Sequence, residues 1–284
     1  MSYTVIDTHI HIWNIERVEY SWLKNDTSIL NRTYLPDELH HHLVDANISK
    51  GLLVQAANNW EDTELMLKHA KENDWITGVV GWLPLANPAE TEKLITAKYK
   101  TNTVLKGVRH LIHTEPDDAW LLQPNILESL QLLAYYNIPY DLVGINIRHL
   151  EVALTVAEKI PSLRMVFDHL NQPPVAAKEK FGRWGALLTE AAKHPNFFAK
   201  ISGLGTASGN LSGWQNEDIK PYIAFALEQF GTERCFCGGD WPVSLLAGTY
   251  SSTWNSYQSI ILELLDEVSV QKVFSANAVN FYNL

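Results

Sequence analysis

The chain has 284 residues, and 22 Lys and Arg against 32 Asp and Glu leave a formal net charge of −10. A hydrophobic fraction of 46% with 19% charged residues fits a folded globular protein and excludes disorder. The acidic balance predicts repulsion from nucleic acid and from anionic membranes, so neither is expected as a partner. No basic stretch leads into an apolar signal at the N-terminus, and no apolar run reaches about 18 residues, which points to a cytoplasmic protein. Cys235 and Cys237 cannot supply a disulfide framework or a four-cysteine zinc site and read as reduced, buried residues.

Short apolar runs cover 3–7, 51–56, 76–83, 104–110, 138–143, 163–169, 196–202 and 234–239. Helix-patterned segments lie between and after them, at 61–71, 89–100, 125–136, 150–159, 181–192, 217–230 and 254–265. This alternation predicts βαβ units around a parallel sheet. Pro88 and Pro221 are placed near helix beginnings, where a missing N–H costs little, and Gly231 follows a helix as a C-terminal cap. The first connection is longest: 14–35 reads as a loop over one barrel mouth, with a short helix starting at Pro36. The segment 202–216, rich in Gly and Ser, reads as a mobile lid. Eight units in one domain spanning 1–284 predict a (β/α)8 TIM barrel. A doubly wound sheet would bring a glycine-rich turn after an early strand, whereas the first strand here ends in DTHIHIW. The oligomeric state, monomer or homodimer, stays open.

The side chains that could do chemistry gather at the predicted C-terminal strand ends. His9 and His11 share one side of the first strand and could hold a divalent cation, bind an anionic oxygen, or be satisfied by structural hydrogen bonds. Asp240, in CGGDWPV, follows the eighth run and could be a general base, a metal ligand or a helix cap. His169, in VFDHL, could bind a metal, orient a carbonyl or transfer a proton, with Asp168 pointing the other way if the strand continues. Arg109 offers a planar fork for a carboxylate or sugar oxygens, or else a surface ion pair; only one of Arg109 and His110 can face the centre. Gln55, Asp141 and Lys200 end strands two, five and seven, and Lys200 reads as a salt bridge or a substrate contact. His113 is a weaker candidate. In an α/β barrel that end of the strands is the active face.

The segments VIDTHIHIW, LLVQAA, LKGVRH, RMVFDHLNQPP, FFAKISGL and CFCGGDWPVSLLAGTY resemble the amidohydrolase superfamily, in its amidohydrolase-related family 2 branch of sugar-acid lactonases. Gly239 stands where that branch often has serine, and Ser275 and Ala276 where glycines are common. The resemblance implies a distorted barrel, with Asp240 as general base and His9, His11 and His169 around the reaction centre. It implies hydrolysis of an L-fucono-, L-rhamnono- or galactonolactone to its aldonic acid. No essential cofactor is implied; if one divalent cation is bound, zinc is the expected one, on His9, His11, His169 and Asp240. Asp240, His169 and Arg109 are then the expected catalytic groups. Trp13, Trp22 and Trp82 would flank the sugar, and Gln55, His110, Asp141 and Lys200 would join His9 and His11 in binding it. The competing reading is a metal-dependent decarboxylase of an aromatic or vinylogous acid.

Overall fold

The computed structural model describes residues 3–284. Eight parallel strands pair in chain order: β1 (Ile6–Ile10), β2 (Lys50–Val54), β3 (Ile76–Gly81), β4 (Leu105–His110), β5 (Tyr140–Leu142), β6 (Met165–Phe167), β7 (Phe197–Ile201) and β8 (Cys235–Cys237). Helices α1 (Pro36–Leu43), α2 (Trp60–Glu72), α3 (Pro88–Leu94), α4 (Pro124–Tyr135), α5 (Ile147–Lys159), α6 (Gly182–Ala192), the short α7 (Leu204–Ala207), α8 (Asn216–Phe230) and α9 (Tyr250–Leu264) intervene or follow. The architecture is the expected (β/α)8 barrel in one domain. Pro88 begins α3 and Pro36 begins α1, but Pro221 lies inside α8, which starts five residues earlier at Asn216 behind a Gln215–Asp218 capping box. Gly231 ends α8 at φ 71°, a conformation that favours glycine.

Strand alternation sorts the side chains into two layers. Leu53, Val79, Val108, Met165, Phe167, Cys235 and Cys237 join the larger core between sheet and helices. Ile6, Leu52, Val54, Val80, Val166 and Phe236 fill the lumen, where the C-terminal helix α11 (Asn277–Tyr282) adds Ala278, Phe281 and Tyr282. This helix, reached through α10 (Glu267–Gln271), plugs the end of the barrel opposite the site, a plug the apolar-run pattern did not reveal. Each large apolar side chain buried in these layers contributes about 1.5–3 kcal/mol.

The barrel closes unevenly. β8 has three residues, and its seam with β1 is made largely beyond the strand end, by His11 N–H donating to Trp241 O, Asp240 N–H to His9 O and Thr8 Oγ1 to Cys237 O. The seam therefore brings the DTHIH and GGDW segments together at the mouth. The loop expected over 14–35 folds back at the Trp13–Tyr34 bridge and is pinned by Tyr20 Oη donating to Asp62 and by Trp22 Nε1 donating to Ala56 O. Among the described residues no helix is long and apolar enough to cross a membrane.

Candidate active site

Three local departures from ideal strand geometry aim the polar groups inward. In β1 the register with β2 shifts between Asp7 and Ile10, so Ile6 faces the lumen while Ile10 joins the outer core. That parity change leaves His9 and His11 on the inner side. At β6, Val166 faces inward, so Asp168 two residues on also faces inward, opposite to the expected direction. His169 reaches the same centre because the strand has ended: residues 169–172 have φ near +50°, which swings its ring back over the mouth. After β8, Gly238 and Gly239 let the two segments touch. A Cβ on Gly238 would lie 2.5 Å from His9 Cβ, and one on Gly239 2.5 Å from Asp7 Oδ2.

Asp7 knits this seam, accepting from His9 N–H, Gly239 N–H, Tyr250 Oη and Trp254 Nε1. Burial still pushes its carboxyl up to about 6 against those four donors. A charged layer lies beneath the histidines. Lys200 Nζ is 2.6 Å from Asp141 Oδ2 and 2.8 Å from Asp168 Oδ1, and Arg109 Nη1 is 3.0 Å from Asp168 Oδ2. All four side chains are buried, and two cations balance two carboxylates. Burial opposes ionisation of Asp168, but Lys200, His9 and Arg109 outweigh it and hold the carboxyl well below the usual range. Burial raises Asp141 to about 6 against the pull of Lys200. Burial opposes the Lys200 charge as well, yet Asp141 and Asp168 raise its pKa.

The histidines sit on this layer. His11 Nδ1 lies 2.7 Å from Val54 O, an acceptor only, so Nδ1 carries the proton and Nε2 offers a lone pair. His9 Nε2 receives Arg109 Nη1–H across 3.2 Å, and its Nδ1 lies between Lys200 Nζ at 3.2 Å and Asp168 Oδ1 at 3.3 Å. Burial holds His9 well below the ordinary imidazole value, with Asp168 opposing and Lys200 reinforcing; burial lowers His11 despite Asp240. The Nε2 atoms of the two rings face each other at 3.1 Å. Asp240 Oδ1 lies 3.5 Å from His11 Nε2, 3.8 Å from His9 Nε2 and 3.9 Å from His169 Nε2. Ring nitrogens and a carboxylate converging this closely repel unless a proton or cation lies among them. The separations suit tetrahedral zinc, whose ligands at roughly 2.0–2.1 Å stand about 3.3 Å apart. His9, His11 and Asp240 are the residues that could hold a metal; their ligand atoms lie within 4.8 Å of one another, and His169 falls outside that set.

Above them opens a cavity of about 220 Å³, lined among others by His11, Arg109, His169 and Asp240. Trp22, Ala56, Leu111, His113, Val143, Ile145, Gln172, Thr206 and Val243 complete its wall. Of the expected substrate contacts, His11 and Trp22 line it. Others do not. Lys200 and Asp141 are fully buried partners of one another, because alternation puts them in the lumen below the histidines. His9 is likewise buried under the cavity floor. The Gln55 side chain turns to β4, its Nε2 donating to Arg109 O, while the Gln55 backbone carbonyl accepts from Arg109 Nη2. Trp13 is buried behind Trp22, their rings edge-on at 5.2 Å. His110 faces away from the centre, accepting from Trp82 Nε1 at Nδ1 and stacking on Trp120. Arg109 is no surface ion pair but the buried partner of Asp168. The expected lid segment contributes Thr206, and Trp214 Nε1 ties it to Ala247 O.

Sequence reading passed over Ser202, Asp7 and the apolar wall of Leu111, Val143 and Ile145. Ser202 was legible in principle: it stands two residues past inward-facing Lys200. Nothing in the sequence marks the wall, which is assembled from separate loops.

An α/β barrel with a buried carboxylate–histidine cluster at the C-terminal strand ends has the layout of a barrel enzyme. The chain belongs to the amidohydrolase family, whose Amidohydro_2 model matches residues 6–284. It is 28% identical over 98% of its length to an L-fucono-1,5-lactonase of Burkholderia ambifaria, covering 95% of that protein. It is 30% identical over 86% of its length to an L-fucono-1,5-lactonase of Burkholderia multivorans, covering 84% of it. A crystal structure of an amidohydrolase from Burkholderia multivorans with bound zinc superposes with a TM-score of 0.90, at 29% identity and 99% coverage of both chains.

Proposed function

We propose that the protein hydrolyses a sugar-derived lactone to its aldonic acid, with Asp240 as the general base. The observation that carries this reading is the Asp240 carboxylate, 3.5–3.9 Å from three imidazoles at the floor of a small cavity. The lactonase names of the two curated relatives support the substrate class, and L-fucono-, L-rhamnono- and galactonolactones are the candidates. Asp240 takes a proton from water as the water attacks the ester carbonyl. Charge developing on the carbonyl oxygen meets Arg109 and His169, both on the cavity wall. The protonated Asp240 returns that proton to the departing alkoxide, and the His169 ring hydrogen-bonds the oxygen that gains charge. Leu111, Val143, Ile145 and Val243 face the C–H surface of the sugar, and His113, Gln172 and Thr206 read its hydroxyls. The segment 202–216 covers the bound lactone. When bound on His9, His11 and Asp240, a divalent cation, zinc by its donor set, supplies Lewis-acid polarisation of an oxygen. The chain's own groups supply the base and the acid, so no cofactor is essential. Buried thiols at Cys235 and Cys237 support a reducing, cytoplasmic setting.

The test is acid release from a panel of five- and six-membered sugar lactones, with spontaneous opening subtracted and with and without chelator. Turnover of a sugar lactone is expected in both conditions. No turnover on the panel, with carbon dioxide released from an aromatic acid instead, overturns the reading.

A further inference from the structure

His169 differs from the other two imidazoles in what holds its Nδ1. Its partner is the Ser202 hydroxyl, with Oγ 2.9 Å from Nδ1 and 3.2 Å from the His169 backbone nitrogen. Ser202 is fully buried, and among the described residues its Oγ makes no other hydrogen bond. The backbone N–H can only donate, so it occupies one lone pair of Oγ. The hydroxyl hydrogen then needs an acceptor, and Nδ1 is the one within reach. A proton on Nδ1 would instead make Oγ accept twice and bury its own hydrogen without a partner, the costly arrangement for a polar group.

We propose that Ser202 is a positioning residue that fixes His169 in the Nε2–H tautomer, so that His169 presents a neutral hydrogen-bond donor to the cavity rather than a metal-ligating lone pair. The three rings then divide the work. His11 turns a lone pair to the cluster, its Nδ1 proton being taken by the Val54 carbonyl, and His9 Nε2 is met by Arg109. His169 turns an N–H to it, its Nδ1 being occupied by a donor. The 3.9 Å between His169 Nε2 and Asp240 Oδ1 leaves room for one oxygen about 2.8 Å from each. That oxygen can give a proton to the carboxylate or receive a hydrogen bond from the ring. Gly203 completes the device. It adopts φ +62°, and a Cβ there would lie 2.6 Å from His169 Nδ1 and 3.1 Å from Asp240 Oδ2. A side chain after Ser202 would wedge apart the pair that Ser202 holds together.

The catalytic role rests on the lactone reading, but the tautomer can be read without it. In protein labelled with 15N histidine, long-range 1H–15N correlation distinguishes the two tautomers, and His169→Gln assigns the ring. The wild type is expected to show Nε2–H at position 169, and Ser202→Ala to lose that preference. On the lactone, Ser202→Ala should lower kcat on the order of 10²-fold with KM little changed, and Ser202→Thr, which keeps the hydroxyl, should restore most of it. A wild-type Nδ1–H tautomer overturns the proposal, as does an unchanged tautomer in Ser202→Ala. If Ser202→Ala does not fold, the wild-type spectrum still decides. If the wild type turns over no lactone, the functional reading fails while the tautomer result stands by itself.

Discussion

At the scale of single residues, the site is governed by which charges are compensated. Lys200 has no access to solvent and spends its protons on Asp141 and Asp168. Removing its charge strands two carboxylates in the lumen, so Lys200→Met is expected to cost about 3–5 kcal/mol in urea unfolding. Unchanged stability would show that the layer tolerates an unbalanced charge. The convergence of His9, His11 and Asp240 makes a second prediction. Zinc titration followed by elemental analysis should find about one bound ion in the wild type and a loss of affinity of 10-fold or more in His11→Ala. Equal binding by the variant would move the ion elsewhere. Much of this chemistry was legible in the sequence, because Asp240, His169, Arg109, His9 and His11 all sit at strand ends. Roles were harder to read than places. Lys200, Asp141 and Asp168 carry ordinary ligand-type side chains, and only the depth at which alternation places them makes them supports for the histidines.

At the scale of elements, the loop after β1 and the start of α2 form one unit. Asp62 accepts from Tyr20 Oη, Ala56 N–H and Ala57 N–H, and so fastens the loop to the end of β2 beside the cavity. Burial raises its carboxyl to about 6 despite those donors. The sign follows from linkage. A group that binds its proton more tightly when folded gives stability that is fully present below the unfolded value near 3.9 and is lost as pH rises through about 6. Asp62→Asn cannot titrate. It should be less stable than the wild type, most so near pH 4, and the gap should narrow by on the order of 2–3 kcal/mol by pH 7. Thermal melts across that range check it, and a gap that widens with pH would contradict it. The strands and most helices were visible as apolar runs and amphipathic segments. The bulge in β1 and the left-handed run after β6 were not, because a parity change leaves no mark in hydrophobic pattern when both faces of the strand are buried. The C-terminal plug was missed for a related reason: α10 and α11 are short and joined by a wide turn of helix at residues 272–276, which blurs the period.

At the scale of the whole molecule, the barrel is a device for making residues far apart in sequence meet. His9 O accepts from Asp240 N–H across a separation of more than two hundred positions, and the seam between β1 and β8 is completed at the active face itself. The same backbone bonds that close the barrel therefore set the distance from carboxylate to imidazoles. The apolar plug seals the far end, the balanced charged layer supports the rings, and the mouth holds Asp240 and the imidazoles. The central claim is that Asp240 is the base. Its most direct measurement is sugar-lactone hydrolysis by Asp240→Asn beside the wild type, with both shown to be folded by their melting curves. The account predicts that kcat/KM falls by about 10²–10⁴-fold while the fold is kept. A folded Asp240→Asn protein with full activity would contradict it.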